Sequence, residues 1–309
     1  MKYGQMLQGT ITSFDEKGRG VFVVPIASGE ERRVAVPFTA PGDTIEARFI
    51  KRDKGFWIGQ LTHLHEPSEL RRSTVCPHAG VCGGCLWQHL RYEAQLTLKQ
   101  QAINKAYAAA GITDAVTPIV ACPTPLFYRN RMDYVVSWRG DVGLKEYGSW
   151  NHYLDLSTCF LLDEDTPAIL NAAREAAKQL GWEPWDAREH TGQFRYVVIR
   201  LGKNTGQRLI HLVVHNLDAI SESDRQTLRT LLAPWCTSLV LGENPTPTDL
   251  SYVQRCEALH GSLQLEESVN DLRYQIHPNA FFQTNTLMAG KLQTTVLDRL
   301  GNIEGKRVL

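Results

Sequence analysis

Three cysteines lie close together in a short glycine-rich stretch, CPHAGVCGGC, with the spacing Cys76-x5-Cys82-x2-Cys85. Thiolates two residues apart can bind one metal centre because the loop between them turns back on itself, and glycines permit the positive φ angles of such a turn. A tetrahedral zinc ion or a cubane iron–sulfur cluster needs four ligands, so a fourth must come from elsewhere in the chain. We expect this fourth ligand to be Cys159.

The cysteine spacing alone leaves other metal sites open. Zinc could use the same ligands, and His78 or His89 could replace one of the cysteines. Cysteine is also common as a small buried hydrophobic residue, but a polar, glycine-rich loop is a poor setting for a core thiol. The remaining cysteines, Cys122, Cys236 and Cys256, lie apart in ordinary contexts, and we expect them to be core thiols.

Residues 5–64 predict an all-β module. Short segments rich in β-branched and aromatic residues alternate with turns such as DEKGRG and APGD. About five strands joined by short loops are typical of a small closed barrel of the OB type. Such barrels bind nucleic acids in some proteins and are structural modules in others, and the strand pattern does not separate the two uses.

The remainder of the chain alternates strands and helices, which predicts an α+β domain. A helical pattern covers residues 90–112, and strand-like segments occupy residues 128–162. A helix is expected to begin at Thr166–Pro167, where proline suits the first turn. A hairpin is expected to turn at residues 204–206, between RYVVIRLGK and QRLIHLVVHN. Further along come a helix over DRQTLRTLLAPW, a strand over TSLVLGEN and an amphipathic helix over residues 286–300.

The chain is neutral overall, with 33 basic and 33 acidic residues, but the charge is unevenly distributed. Residues 1–140 hold 17 Lys and Arg against 12 Asp and Glu, whereas residues 141–309 hold 16 against 21. A basic front half is weak evidence for a polyanionic partner, and ordinary fluctuation accounts for it at least as well. Neither a transmembrane run nor the apolar core of a secretory signal is found, so we expect a cytoplasmic protein.

Five motifs, in this order, resemble those of the RNA uracil-5-methyltransferase family, in its branch with an N-terminal TRAM barrel and a four-iron cluster. VPFTAPGDTIEARFIK is similar to the TRAM turn, and CPHAGVCGGCLWQHLRYEAQLTLKQ to the cysteine run of the family. FYRNRMDYVV, FRYVVIR and IHPNAFFQTNT resemble three further motifs. The resemblance extends from about residue 5 to residue 309.

The resemblance implies methyl transfer from S-adenosylmethionine to C5 of a uracil in structured RNA, and in particular in 23S ribosomal RNA. We expect a monomer that binds neither DNA nor a membrane. The residues implied to hold a [4Fe-4S] cluster are Cys76, Cys82, Cys85 and Cys159. Those implied to contact S-adenosylmethionine are Gln283 and Asn285. Those implied to contact RNA are Tyr128, Arg129, Phe281 and Phe282.

The sequence departs from the family pattern after GKRVL, where a glycine-rich cofactor fingerprint, a nucleophilic cysteine and a proton-abstracting acid are expected. We therefore expect a TRAM barrel over residues 1–65, a central α+β domain with the cluster loop over 66–270, and only the start of a Rossmann-like methyltransferase domain over 271–309. Part of 90–130 is expected to pack with this last domain. No catalytic residue is assigned, and the chain alone is expected to be inactive. The alternative is a non-catalytic RNA-binding module with an iron–sulfur cluster or zinc.

Overall fold

The computed structural model of the chain describes residues 2–26, 29–114, 116 and 118–307. The chain divides into two compact units, Met1–Ala121 (unit 1) and Cys122–Leu309 (unit 2). Each unit is built around a β-sheet of its own. Over the described ranges, every helix is too short or too polar to cross a lipid bilayer.

Unit 1 contains one six-stranded sheet. Its strands are Met6–Thr10 (β1), Ser13–Phe14 (β2), Gly20–Pro25 (β3), Glu31–Val36 (β4), Thr44–Asp53 (β5) and Phe56–Glu66 (β6). They lie in the order β1-β5-β6-β4-β3-β2 and are antiparallel, except that β4 and β6 are parallel. Alternate side chains meet in a core that includes Phe22, Ile45 and Trp57. The strand-and-turn pattern predicted for residues 5–64 is therefore observed.

The second half of unit 1 holds the cysteine segment, defined here as residues 76–85, and one helix. The cysteine segment consists mainly of turns and lies outside the helices and regular strands. The helix, Tyr92–Ala109 (α1), falls within the predicted range, and Ala94 is its buried residue. Most of the α1 surface is exposed within unit 1.

Unit 2 contains a seven-stranded sheet, a separate hairpin and three α-helices. The sheet strands are Arg131–Val136 (β7), Val142–Lys145 (β8), Tyr153–Asp155 (β9), Phe194–Leu201 (β10), Arg208–Val214 (β11), Ser238–Glu243 (β12) and Arg255–His260 (β13). The hairpin strands are Leu265–Val269 (β14) and Leu272–Ile276 (β15). The helices are Thr166–Gln179 (α2), Glu222–Leu232 (α3) and Thr286–Leu300 (α4).

The order of the large sheet, β13-β12-β11-β10-β7-β8-β9, puts β10 near its centre. All eight residues of β10 are buried, as its nearly continuous apolar sequence FRYVVIRL requires. The predicted hairpin of β10 and β11 is confirmed, with Leu201 opposite Arg208 next to the turn. The pairing of β11 with β12 is parallel, and α3 lies in the connection between them.

Alternation along β11 sends Leu209, His211 and Val213 to one face of the sheet. On this face Leu209 packs with Leu265 and Ile276 of the hairpin, and Val213 belongs to a second apolar cluster with Val198 and Val253. Helices α2 and α3 contact each other, and they also contact β10 and β13, respectively. Helix α4 buries Thr286 and Ala289 near its start, and the Asn270 amide donates to the Gly290 carbonyl at 3.0 Å and to the Gln293 side-chain oxygen at 3.1 Å.

The expected sequence of a barrel, a central domain and only the start of a third domain is wrong. Residues 271–309 do not begin a separate body, because β15 pairs with β14 and Ile276 packs against the large sheet. The structure instead divides between residues 121 and 122. The expected boundaries at 65/66 and 270/271 do not coincide with this division.

Candidate functional site

The segment that joins β15 to α4, residues 277–286 with the sequence HPNAFFQTNT, combines fixed backbone with exposed side chains. Phe281 is 83% exposed. Phe282 is partly buried instead. It packs edge-on against Tyr274, with 5.3 Å between ring centroids, beside the apolar cluster that contains Leu265 and Ile276. The two neighbouring phenylalanines therefore differ in role, because only Phe281 offers its ring to a ligand.

Two arginines hold the start of the 277–286 segment. Arg200 is buried at the end of β10 and donates hydrogen bonds to the carbonyl oxygens of Pro278 (3.1 Å) and Ala280. Arg131, directly opposite Arg200 in the sheet, also donates to the Pro278 carbonyl (3.3 Å) and binds Asp133 with two hydrogen bonds of 2.7 and 2.9 Å. Burial lowers the pKa of Arg200 to about 9, and the charge of Arg131 acts in the same direction.

Asn130 holds the end of the 277–286 segment. Its side-chain amide donates to the Gln283 carbonyl at 2.7 Å and to the Thr286 hydroxyl at 2.8 Å, and its backbone N–H donates to the Thr284 carbonyl at 2.8 Å. The Thr286 hydroxyl in turn donates to the carboxylate of Glu267 at 3.0 Å. The segment is therefore fixed on both sides of the exposed Phe281.

Glu267 is a buried carboxylate at the centre of this network. It accepts hydrogen bonds from the backbone N–H groups of Lys203 (2.8 Å) and Asn204 (3.1 Å), in the turn between β10 and β11. It is 1% exposed. Backbone donors and the Thr286 hydroxyl supply the polar partners that a buried carboxylate needs.

The side chains of the two predicted cofactor residues differ in exposure. Gln283 is exposed, and its backbone carbonyl is the group bound by Asn130. Asn285 is the N-cap of α4: its side-chain oxygen accepts from the Met288 N–H at 3.1 Å. The amide of Asn285 donates to the Cys122 sulfur at 3.4 Å. Asn285 thus has a structural function, whereas Gln283 presents its amide to solvent.

The predicted RNA residues Tyr128 and Arg129 are half-buried and adjacent to Asn130. The Arg129 guanidinium carbon lies 6.0 Å from the centre of the Tyr128 ring. The backbone N–H of Arg129 donates to the Leu161 carbonyl at 2.9 Å. Its Nε is buried and has no hydrogen-bond partner within the described residues. The structure brings this pair to the same end of β7 as the end of the 277–286 segment.

A neutral histidine lies in the sheet between the two apolar clusters. Burial lowers the pKa of His211 to about 3, and the charge of Arg131 adds to the effect. A Cβ at Gly242 would lie 2.4 Å from His211 Nε2, so glycine leaves the room that this ring occupies. Asp133 has a lowered pKa: burial raises it, but hydrogen bonds and charge from Arg131 outweigh that effect.

The predicted cluster ligands fall in both units. Cys76, Cys82 and Cys85 belong to unit 1, and Cys159 belongs to unit 2. In unit 1 the Gly84 N–H donates to the Cys82 sulfur at 3.4 Å. In unit 2 Cys159 is buried and lies near the Tyr134 hydroxyl, whose pKa burial raises. Across the described residues, no group of three or more His, Cys, Asp or Glu side chains is arranged to hold a metal ion.

Sequence reasoning assigned no role to Asn130, Arg200 or Glu267, although the first two stand in motifs that were singled out. Asn130 is in FYRNRMDYVV and Arg200 ends FRYVVIR. Their partners lie far along the chain, so no local periodicity marks the contacts. The available signal was that polar residues occur within strands or directly beside them. A polar side chain that is buried there needs a hydrogen-bond partner.

Comparison with known proteins assigns the chain to RNA-modifying enzymes. No protein-family model matches it. An RNA methyltransferase of Nanoarchaeum equitans is 33% identical over 302 residues, 97% of this chain and 63% of the relative. The tRNA (uracil(54)-C(5))-methyltransferase of Pyrococcus horikoshii is 31% identical over 303 residues, 98% of this chain and 68% of the relative. The 23S rRNA (uracil(747)-C(5))-methyltransferase of the same organism is 30% identical over 91% of this chain and 62% of the relative.

A solved structure agrees with these relatives. The Pyrococcus abyssi tRNA (uracil-54, C5)-methyltransferase, in complex with S-adenosyl-L-homocysteine, matches with a TM-score of 0.74 and 27% identity, over 96% of this chain and 65% of that one. The chain belongs to the RNA uracil-C5-methyltransferase family. It spans about two thirds of the length of the curated relatives it matches.

These alignments correct the expectation of a portion whose catalytic part is missing. They cover 96–98% of the chain and lie within the methyltransferases themselves. Nearly the whole chain therefore aligns with methyltransferase sequence. The expected inactivity depended on the missing part and is not supported.

Proposed function

We propose that the protein methylates C5 of a uracil in structured RNA with S-adenosylmethionine as the methyl donor, and that ribosomal RNA is its substrate. The observation that carries the proposal is the match of nearly the whole chain to uracil-C5 methyltransferases, one of them solved with S-adenosyl-L-homocysteine. The relatives include enzymes for both tRNA and 23S rRNA, so the test compares these two RNAs.

The chemistry of the proposed reaction explains why exposed aromatic and cationic groups are needed. C5 of uracil is a weak nucleophile, so a thiolate would first add at C6 and create an enolate. C5 of that enolate would take the methyl group from the sulfonium, and a base would then remove the C5 proton as the thiolate leaves C6. The target base must leave its stack to be reached. Phe281 offers an exposed ring, and Tyr128 and Arg129 offer a second aromatic and a cation for this base or its neighbours. Phe282 supports the proposed site by packing on Tyr274.

In this proposal Gln283 contacts the cofactor directly, since its side chain is exposed on a fixed backbone. Asn285 contributes by fixing the first turn of α4. Asn130, Thr286 and Glu267 keep the segment in place without touching the cofactor. A group held by packing and buried hydrogen bonds loses little conformational entropy when a ligand binds.

The experiment is a tritiated-methyl transfer assay on unmodified 23S rRNA and unmodified tRNA transcripts, with the Pyrococcus abyssi enzyme as the positive control. We expect label in the ribosomal RNA, located at a 5-methyluracil after nuclease digestion. Label only in tRNA would keep the reaction and reject the ribosomal substrate. Absence of label from both RNAs, with an active control enzyme, would reject the proposed activity.

We also propose that Cys76, Cys82, Cys85 and Cys159 bind a [4Fe-4S] cluster. It is supported by the spacing in a glycine-rich turn, by the N–H donated from Gly84 to the Cys82 sulfur, and by the resemblance. When bound, such a cluster would fix the polypeptide around its ligands.

Anaerobically purified protein should contain iron and sulfide and absorb broadly near ~400 nm, as thiolate-ligated clusters do. Cys82→Ser and Cys159→Ser should lose this absorption. Cys236→Ser is the matched control, because burial raises the pKa of that thiol to about 11 and makes it a poor ligand. Stoichiometric zinc without iron would reject the cluster and favour a zinc site.

A further inference from the structure

A second loop lies beside the 277–286 segment in unit 2. This 244–252 loop, NPTPTDLSY, follows β12 and carries two large exposed hydrophobic side chains, Leu250 at 57% and Tyr252 at 60% exposure. Among the described residues, Tyr252 belongs to neither of the two apolar clusters that pack on the large sheet. Isolated exposed aromatic residues are common in proteins, so exposure alone assigns no function.

The backbone that carries Tyr252 is held firmly. Arg195, buried in β10, donates to the carbonyl oxygens of Asn244 and Thr246, both at 2.6 Å, and to that of Thr248. The Asn244 amide donates to the Leu250 carbonyl at 2.8 Å. Two prolines in the loop restrict its backbone further. The exposed ring therefore stands on a rigid support.

The 244–252 loop is fastened to the segment that bears Phe281. The Asn279 amide donates to the Val253 carbonyl at 2.7 Å, and the Val253 N–H donates to the Asn279 side-chain oxygen at 3.1 Å. Val253 directly follows Tyr252, and Asn279 is two residues before Phe281. Arg131 bridges the same two loops by donating to Pro278 and to the Ser251 hydroxyl, each at 3.3 Å.

We infer that Tyr252 is a second stacking surface for unpaired RNA bases, beside Phe281. This inference rests on the proposed RNA substrate. A base that leaves its stack for methylation leaves unpaired neighbours, and aromatic faces on a fixed backbone bind such bases without regard to sequence. Because both loops are already fixed, little conformational freedom is lost when the bases bind.

The test measures binding of the full chain to an RNA hairpin whose loop holds unpaired uridines and one 2-aminopurine, and to a fully paired RNA duplex. Tyr252→Leu removes the ring and keeps an apolar side chain, whereas Tyr252→Phe keeps the ring. We expect Tyr252→Leu to bind the hairpin roughly tenfold more weakly, the effect of losing one stacked base, with the duplex affinity unchanged. Tyr252→Phe should bind like the unchanged protein, and 2-aminopurine quenching should be lost only with the ring.

Trp150→Leu is the matched control, because Trp150 is 65% exposed and carries Arg188 5.1 Å from its ring centre, yet lies in the connection between β8 and β9. It should leave hairpin binding unchanged. Equal hairpin affinity for Tyr252→Leu and the unchanged protein would overturn the inference while leaving the proposed function intact. An equal loss on hairpin and duplex would also overturn it. Failure of the unchanged protein to bind either RNA would reject the proposed RNA substrate, and the inference with it.

Discussion

The 244–252 loop and the 277–286 segment lie side by side, but they are held in different ways. One guanidinium, that of Arg195, binds three carbonyl groups of the first loop. The second segment is shared between Arg131 and Arg200 at its start and Asn130 at its end. Asp249 and Ser251 of the first loop also bind Tyr196 and Asp133, so the difference concerns the carbonyl groups. One arginine binds the carbonyl groups of residues 244, 246 and 248, whereas several residues share those of the second segment.

The geometry of β10 explains the difference. The register with β11 shifts between Phe194 and Tyr196, so Arg195 has no partner residue in that strand. Arg200 keeps a regular pairing position opposite Arg131, and both arginines donate to the Pro278 carbonyl. Asp133 and the buried carbonyl groups balance these charges.

The largest effect should follow replacement of Arg195. Arg195→Met leaves three carbonyl groups without their donor, and we expect it to lower the free energy of unfolding by about 3–5 kcal/mol. Arg200→Met should cost about 2–3 kcal/mol, since Arg131 and Asn130 still hold the neighbouring segment. Urea unfolding measures both. Arg139→Met, at an exposed site over Trp138, is the control and should change stability by less than about 0.5 kcal/mol. Equal losses of unfolding free energy for Arg195→Met and Arg200→Met would contradict the expected difference between the two segments.

Acid should loosen both loops together, because His211 lies near Arg131, Arg200 and Val253, which contact the two loops. Its pKa is about 3 in the fold, against about 6.5 in an unfolded chain. Above that unfolded value both states are neutral and stability is complete. Below it only the unfolded state gains a proton, so the free energy of unfolding falls until the folded pKa is reached.

The expected loss from His211 is about 3 kcal/mol by pH 4. The measurement is urea unfolding between pH 7 and pH 4 for the unchanged protein and for His211→Gln, in which this titration is absent. The difference between the two slopes isolates His211 from other groups such as His89, whose pKa burial lowers to about 4 in unit 1. Parallel slopes would show that His211 does not contribute.

The smallest effect should come from the far end of the 277–286 segment. Thr286→Val removes a hydroxyl that links Asn130 to Glu267, and we expect a loss of about 1–2 kcal/mol with faster amide exchange at residues 283–286. Thr286→Ser should restore both properties. Thr284→Val is the control, because Thr284 is exposed and contributes only its carbonyl. Uniformly faster exchange over β10 would show a global rather than a local role.

The sequence predicted the elements better than the contacts between them. The hairpin of β10 and β11 was predictable because two apolar runs flank a turn at residues 204–206. Helices α2 and α4 were predictable from periodicity and from Pro167 or the following glycine. All of these signals are local.

The candidate site was predictable only in part. The resemblance implies the same role for Phe281 and Phe282, but Phe282 is partly buried against Tyr274 whereas Phe281 is exposed. It implies a cofactor contact for Asn285, and only the structure shows that the same side chain caps α4. Glu267 and Thr286 become neighbours only when the hairpin and α4 are in place, and residue spacing carries no record of such a contact.

The central position of β10 has a consequence for how the chain acquires its fold. Strand β7 leaves the ribosome before its partner β10, which it meets with Met132 opposite Ile199, and α3 lies in the connection between the parallel strands β11 and β12. The local β10–β11 hairpin is therefore the natural first step, and the long-range pairings follow slowly. Until β10 emerges, Met132, Tyr134 and Val135 of β7 lack their partners in that strand. A translation pause before residue 194 would expose this apolar strand and favour aggregation or chaperone binding.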